Sequence, residues 1–247
     1  MEDIRPKVVV SRCLEFDSCR YNAQKISSDI VKDLIPYVEF ISVCPEVGIG
    51  LSVPRYRIRI IFEDGINKLV QPKTKKEYTD EMNTFSQDFS SSLNEFDGFI
   101  MKGKSPSCGL MDVKIYSNKR NSPPIKKGSG FFGGYILEHY QNKVIEDEGR
   151  LRNFVIRDNF LTQLFTLCRF RNCLDMKSLK NFHEKNKLLF TSLDENLVLE
   201  LNNILEKDFD SKTIENYEKT LNRIINNRIP CESKITVLEQ LLDNISD

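Results

Sequence analysis

Residues 98–109 read GFIMKGKSPSCG: a short apolar run, a loop of Gly, Lys, Ser and Pro, and a cysteine followed by glycine. The apolar run has the character of a buried strand, and the residues after it are turn formers. The same pattern stands twice upstream. Val8-Val9-Val10 ends at Ser11-Arg12-Cys13, and the strand-like Val38 to Val43 ends at Cys44-Pro45. Open α/β sheets assemble their sites at the carboxyl ends of their strands, so three strands each ending in a cysteine-containing turn predict such a sheet, with the cysteines converging.

Around these segments the first half alternates strand and helix signals. Ser27-Ser28-Asp29 caps a helix through Ile30, Val31, Leu34 and Ile35 to Pro36. Arg57 to Phe62 alternates as a strand and turns at Glu63-Asp64-Gly65 into Leu69-Val70. Met82, Phe85, Phe89 and Leu93 mark a helix over 79–93, Val113 to Tyr116 is a further strand, Asn118 to Gly130 reads as a loop, and Phe131 to His139 as a helix. Beyond Ile145, Pro and Gly nearly vanish. Helices are expected over 151–176, 179–190, 195–209, 212–227 and 232–245. The expected fold is an α/β domain over 1–145, its sheet mixed or parallel and flanked by helices, followed by an all-α domain over 146–247.

The chain has 247 residues with 40% hydrophobic content, which excludes a disordered or collagen-like protein. It has no apolar run of about 18 residues and no signal-peptide pattern, so no membrane association and a cytoplasmic location are expected. Seven cysteines in a reducing compartment are free thiols or metal ligands rather than a disulfide framework. The net charge is zero, with 36 Lys and Arg against 36 Asp and Glu. That balance hides a gradient: seven bases face one acid between Lys102 and Lys127, nine face three between Arg150 and Lys187, and twelve acids face six bases from Leu193 on. A basic middle suits phosphate binding, although a solvated surface accounts for such stretches equally well.

Cys13, Cys44 and Cys108 lie 31 and 64 residues apart, which excludes the local paired ligands of a zinc knuckle. Three thiols gathered from distant loops suit an iron–sulfur cluster with one iron lacking a protein ligand; three small buried hydrophobes are the alternative. Glu46 is the carboxylate that a short turn after Cys44 would aim at the same place. Ser105 and Ser107 flank Pro106 beside Cys108, and Arg55 would hold either a phosphate or a structural carboxylate.

The segments VSRCL, RYN, CPEVGIGLSVPR, DGFIMKGKSPSCGLMDVKIY and GSGFFGGYI together resemble the thiouracil desulfidase family across about residues 6–140. The later stretches IEDEGRLRNFVIRDNF, RFRN and FHEKNKLLF resemble the helical domain often fused to that family, as in tRNA 4-thiouridine desulfidases. The resemblance implies a 4Fe–4S cluster held by Cys13, Cys44 and Cys108, with the remaining iron open to the sulfur of the substrate. The water needs a base, for which Glu46 is the nearest carboxylate, and the resemblance favours Ser105, over Ser107, as the serine that serves the pyrimidine ring. No redox partner is needed for such a hydrolysis. One departure is Arg20-Tyr21-Asn22-Ala23, where the family commonly has Arg-Tyr-Asp-Gly.

The fused form implies tRNA carrying thiolated uridine as substrate and partner. Lys102, Lys104, Arg55, Lys126, Lys127, Arg150 and Arg152 are the candidate RNA-binding residues, with Tyr116, Phe131 and Phe132 as rings on which a displaced base would stack. Two other readings are a desulfidase for free bases such as 2-thiouracil, and a non-catalytic RNA- or protein-binding module with a structural metal site.

Overall fold

The computed structural model describes residues 4–118, 122–207, 209–210 and 212–227. They form two compact units, Arg5–Arg152 and a second one from Asn153 onward. In chain order the first unit contains β1 (Lys7–Ser11), α1 (Asp29–Leu34), β2 (Glu39–Val43), α2 (Pro45–Gly48), β3 (Arg59–Glu63), β4 (Ile66–Gln71) and β5 (Lys76–Glu77). It continues with α3 (Thr79–Ser92), β6 (Gly98–Met101), β7 (Val113–Ser117), β8 (Pro124–Gly128), α4 (Phe131–His139) and β9 (Val144–Asp147).

The strands divide between two sheets. The first runs β2-β1-β6-β9 with every pairing parallel. Its inner strand β1 presents Val8, Val9 and Val10 with no exposed surface, the unbroken apolar run of a strand covered on both faces. The second sheet, β5-β4-β3-β7-β8, is mixed: β3 pairs antiparallel with β4 and parallel with β7. Val9, Phe99 and Met101 from the first sheet share one apolar core with Ile60, Leu69 and Ile115 from the second, and α3 and α4 add Met82, Phe132 and Ile136.

Two expectations are corrected here. The segment 118–130 is not all loop, because Pro124–Gly128 forms an edge strand antiparallel to β7. Its leading proline and two lysines are tolerated at a sheet edge, and they conceal the strand from a propensity reading. A domain boundary at 145/146 would cut β9, whose Glu146 and Asp147 pair with Ile100 and Met101 of β6. The first unit therefore continues through the short 3-10 turn Arg150–Arg152.

The second unit consists of α5 (Phe154–Phe170), α6 (Met176–Leu193), α7 (Glu195–Leu205) and α8 (Thr213–Ile225). Side-chain caps set three of the starts: Asn153 accepts from Ile156 N at 3.2 Å, Asp175 from Ser178 N at 2.7 Å, and Asp194 from Leu197 N at 3.0 Å. The cap at Asn153 is why α5 begins there and not at 151. Phe170, Phe182, Phe190, Leu201, Tyr217 and Leu221 form the core. The helix expected over 232–245 lies outside the described residues. Among the described residues no helix is long and apolar enough to cross a membrane.

His183 is fully buried in this helical core, and its Nδ1 hydrogen-bonds the hydroxyl of Tyr217 at 2.9 Å. Burial holds its pKa below the ordinary histidine value, and Glu184 opposes that shift. The unfolded chain therefore takes up a proton before the folded one does, so stability is full above about pH 6.5 and falls as the pH drops below it. Urea midpoints measured from pH 7 to 5 are expected to decline in the native chain. They are expected to decline less in His183→Gln, which cannot titrate.

Candidate active site

The three strand ends β1, β2 and β6 stand side by side, and the chain that leaves them builds one cavity of about 240 Å3. Cys13 follows β1 in a turn closed by Arg12 N donating to Val43 O at 2.7 Å and Ile26 N donating to Cys13 O at 2.8 Å. Cys44 is the residue before α2, with Pro45 at the first helical position fixing the exit from β2. Cys108 closes the loop that leaves β6. All three line the cavity, as do Glu46, Arg55, Lys102, Lys104 and Ser105. Cys108 is buried, and Cys13 and Cys44 are half-buried.

The Cys108 loop is held from inside and outside. Ser105 Oγ accepts from Ser107 N and Cys108 N, both at 3.2 Å, which leaves its own hydroxyl hydrogen available to the cavity. From outside, the start of α4 grips the loop: Gly130 N donates to Gly109 O at 2.7 Å, Phe131 N to Pro106 O at 3.1 Å, and Gly133 N to Ser107 O at 2.9 Å. A methyl group at Gly133 would overlap Gly109 O and stand 2.7 Å from Cys108 O, so only glycine allows this approach. The motif GSGFFGG is thus the socket of the motif SPSCG.

Glu46 is fixed at both carboxylate oxygens. Its Oε2 accepts from Arg55 Nε at 2.9 Å and Nη2 at 2.6 Å, and its Oε1 accepts from Ser107 Oγ at 3.0 Å. Of the two roles open to Arg55, the structure shows the carboxylate one. Its side chain is 4% exposed, and Nη1 also donates to Cys19 O at 2.9 Å, so this guanidinium is not on offer to an RNA phosphate. Ser107 is fully buried and reaches the cavity only through Glu46, whereas Ser105 faces the cavity directly.

Cys19 joins the site as a fourth thiol. It is buried and lines the cavity with Cys13 and Cys44, and its carbonyl oxygen accepts from Cys44 Sγ at 3.9 Å. Its pKa is pushed up to about 11, first by the hydrogen bond with Cys13, with burial adding to the shift. Cys44 is raised by the Cys19 thiol and by burial, and Cys108 is raised chiefly by burial. Six residues after Cys13, Cys19 is expected near the site from spacing alone; the bridge of Leu14 with Ile26 closes the loop that carries it. Among the described residues no three His, Cys, Asp or Glu side chains surround a point where a single metal ion would sit. Cys168 and Cys173 are buried in the helical unit, and Cys231 lies outside the described residues.

The basic candidates separate. Lys102 and Lys104 line the cavity, with Lys102 Nζ paired to Glu148 and donating to Gly103 O at 2.8 Å. Lys126 lies 3.8 Å from the Phe62 ring centroid and Lys127 pairs with Asp112 at 3.0 Å, both on β8 and neither lining the cavity. Arg150 pairs with Glu146 at 2.7 Å, and Arg152 is exposed on the same 3-10 turn. Phe132 is a core residue packed edge-on against Phe89, and Phe131 also packs against that core, so neither is a stacking platform.

Residues 8–148, which hold the whole cavity, match the model of the 2-thiouracil desulfurase family. The chain belongs to that family. A curated relative, the uncharacterized protein YbbK of Bacillus subtilis (strain 168), is 30% identical over 149 residues, covering 57% of this chain and 96% of YbbK. A solved structure, the 4Fe-4S-dependent thiouracil desulfidase TudS, is 22% identical and covers 60% of this chain and 94% of its own, with a TM-score of 0.46. That likeness is too low to bear on fold or function. The 2-thiouracil desulfurase match ends at Glu148, one residue past β9, and leaves the helical unit outside the family model.

In this desulfurase-family site the Glu46–Arg55 pair is a buried anchor. Replacing Arg55 with Met strands a carboxylate, and is expected to cost about 3–5 kcal/mol in urea unfolding. Arg55→Met combined with Glu46→Gln is expected to recover a large part of that loss, which a double-mutant cycle would read as coupling between the two.

Proposed function

We propose that the protein is a 4Fe–4S-dependent, non-redox desulfidase that converts a thiolated pyrimidine to its oxo form and releases sulfide. The observation that carries this reading is the convergence of Cys13, Cys44, Cys108, Glu46 and Ser105 on one cavity. The donor set fits a cluster: three soft thiols come from three separate turns, more widely spread than ligands to one ion, and Lys102 and Lys104 bring positive charge to the same walls. When bound through these three cysteines, the cluster would supply one iron without a protein ligand, a Lewis acid suited to a soft thiocarbonyl sulfur.

The remaining chemistry belongs to side chains. Glu46, held by Arg55 and Ser107, takes the proton of a water that adds to the thiocarbonyl carbon, and the carboxyl group returns it as sulfur departs. The sum is a thiocarbonyl and water giving a carbonyl and hydrogen sulfide, with no electron consumed. Ser105 donates its hydroxyl hydrogen to the ring. Ser107 is a positioning residue acting through Glu46.

The family's description favours free 2-thiouracil as substrate. Thiolated uridine in tRNA is the second reading, supported by the basic residues on the cavity wall and by the aromatic and cationic surface beside it. A cytoplasmic location and independence from a redox partner accompany both.

Replacing Cys13, Cys44 or Cys108 singly with Ala is expected to remove iron and acid-labile sulfide from the reconstituted protein, while Cys168→Ala keeps both. Glu46→Gln is expected to keep the cluster and lose about 10²- to 10⁴-fold in turnover. Anaerobic sulfide release is to be followed with free 2-thiouracil and with tRNA containing 4-thiouridine. A fully loaded protein silent on both would overturn the desulfidase reading.

A further inference from the structure

A second groove, about 410 Å3 in volume, lies on the five-stranded sheet and is lined by Tyr56, Arg57, Arg59, Lys73 and Tyr116, among others. No acidic residue is among those lining it. Strand alternation explains the cluster. Ile58, Ile60 and Ile115 point into the core, so Arg57 and Arg59 project from the opposite face, where the pairing of Ile61 with Tyr116 brings the Tyr116 ring alongside. The guanidinium of Arg59 sits 5.2 Å from the Tyr116 ring centroid, and its buried Nε has no hydrogen-bond partner among the described residues. A buried donor of that kind is costly unless a ligand or water meets it.

The groove neighbours the cysteine cavity through one contact. Arg20 and Tyr21 line that cavity, and the Tyr21 ring lies 4.5 Å from the Arg57 guanidinium, which lines the groove. Departing from Arg-Tyr-Asp-Gly at Asn22 and Ala23 leaves this contact in place, since Ala23 adopts the left-handed conformation at φ 54°. Planar cations beside the exposed Tyr56 ring and the half-buried Tyr116 ring suit a strand of nucleotides, whose phosphates take arginine forks and whose bases stack on flat side chains. A free thiopyrimidine fills the cavity alone and has no use for such a track.

We propose that this groove binds the RNA strand flanking a thiolated nucleotide whose ring enters the cysteine cavity, with Arg59 and Lys73 meeting phosphates and Tyr56 and Tyr116 stacking on a neighbouring base. The assignment rests on the desulfidase reading of the cavity and selects its RNA form.

The test uses the cluster-loaded full chain with two substrates, a single-stranded RNA oligonucleotide carrying one 4-thiouridine and free 2-thiouracil. Arg59→Gln/Lys73→Gln is expected to raise KM for the oligonucleotide at least tenfold. Its binding should also lose about 1.4 from the slope of log K against log salt, at roughly 0.7 per neutralised phosphate of a single strand. Conversion of free 2-thiouracil is expected to stay unchanged. Tyr116→Leu, which leaves every charge in place, should weaken the oligonucleotide without changing the salt slope. If the native chain converts the oligonucleotide and neither variant moves KM, the groove assignment falls while the desulfidase reading stands. The same holds if the native chain converts only the free base, or if the variants lose both substrates together. If the native chain converts neither substrate, the desulfidase reading falls and the groove assignment with it.

Discussion

Parallel pairing of β1 between β2 and β6 is the constraint on which the rest of this molecule depends. Ser11 is in register with Val43, and Val10 with Ile100, so three chain segments leave the same edge of the sheet within two strand spacings of one another. Neighbouring strands lie about 4.8 Å apart, which forces the turns carrying Cys13, Cys44 and Cys108 into one small volume. The apolar run of Val8 to Val10 matters beyond its own burial for this reason. A polar interruption there would move β1 from the middle of the sheet and separate the cysteines.

A strand edge gives proximity, and a site also needs rigidity. The Cys108 loop obtains it from the Ser105 hydroxyl inside and the first turn of α4 outside, where a glycine permits backbone-to-backbone contact. Glu46 then ties the turn after β2 to that loop, since one oxygen is held by Arg55 and the other by Ser107. The carboxylate and the thiol loop are parts of one buried hydrogen-bonded network, and a change in one wall reaches the other through it. Lys102 and Glu148 make a comparable tie at the end of β6 and β9.

Charge behaves differently from its distribution along the chain. Lys127 and Arg150 come from the two basic stretches, yet each is paired with a carboxylate. Arg57, Arg59 and Lys73 lie outside those two stretches, in two short separate clusters at 55–59 and 73–76, and the sheet brings them together with Tyr116. Sequence proximity identifies basic stretches; strand alternation and register decide which cations share a surface.

By itself the sequence determined the two-part architecture, most of the element positions and the identity of the cysteine turns, because apolar periodicity, turn residues and caps are local properties. Cys13, Cys44, Glu46, Ser105 and Cys108 were legible in this way, and their motifs carried the family resemblance. Only the tertiary structure decided that Arg55 holds Glu46, that Ser107 donates to that carboxylate while Ser105 faces the cavity, and that Cys19 is a fourth thiol there. It also turned a lysine-rich segment into the edge strand β8 and placed β9 beside β6. Each of these is a contact between residues far apart in the chain, set by strand register and loop closure, and no local pattern encodes a partner that lies 9, 61 or more residues away.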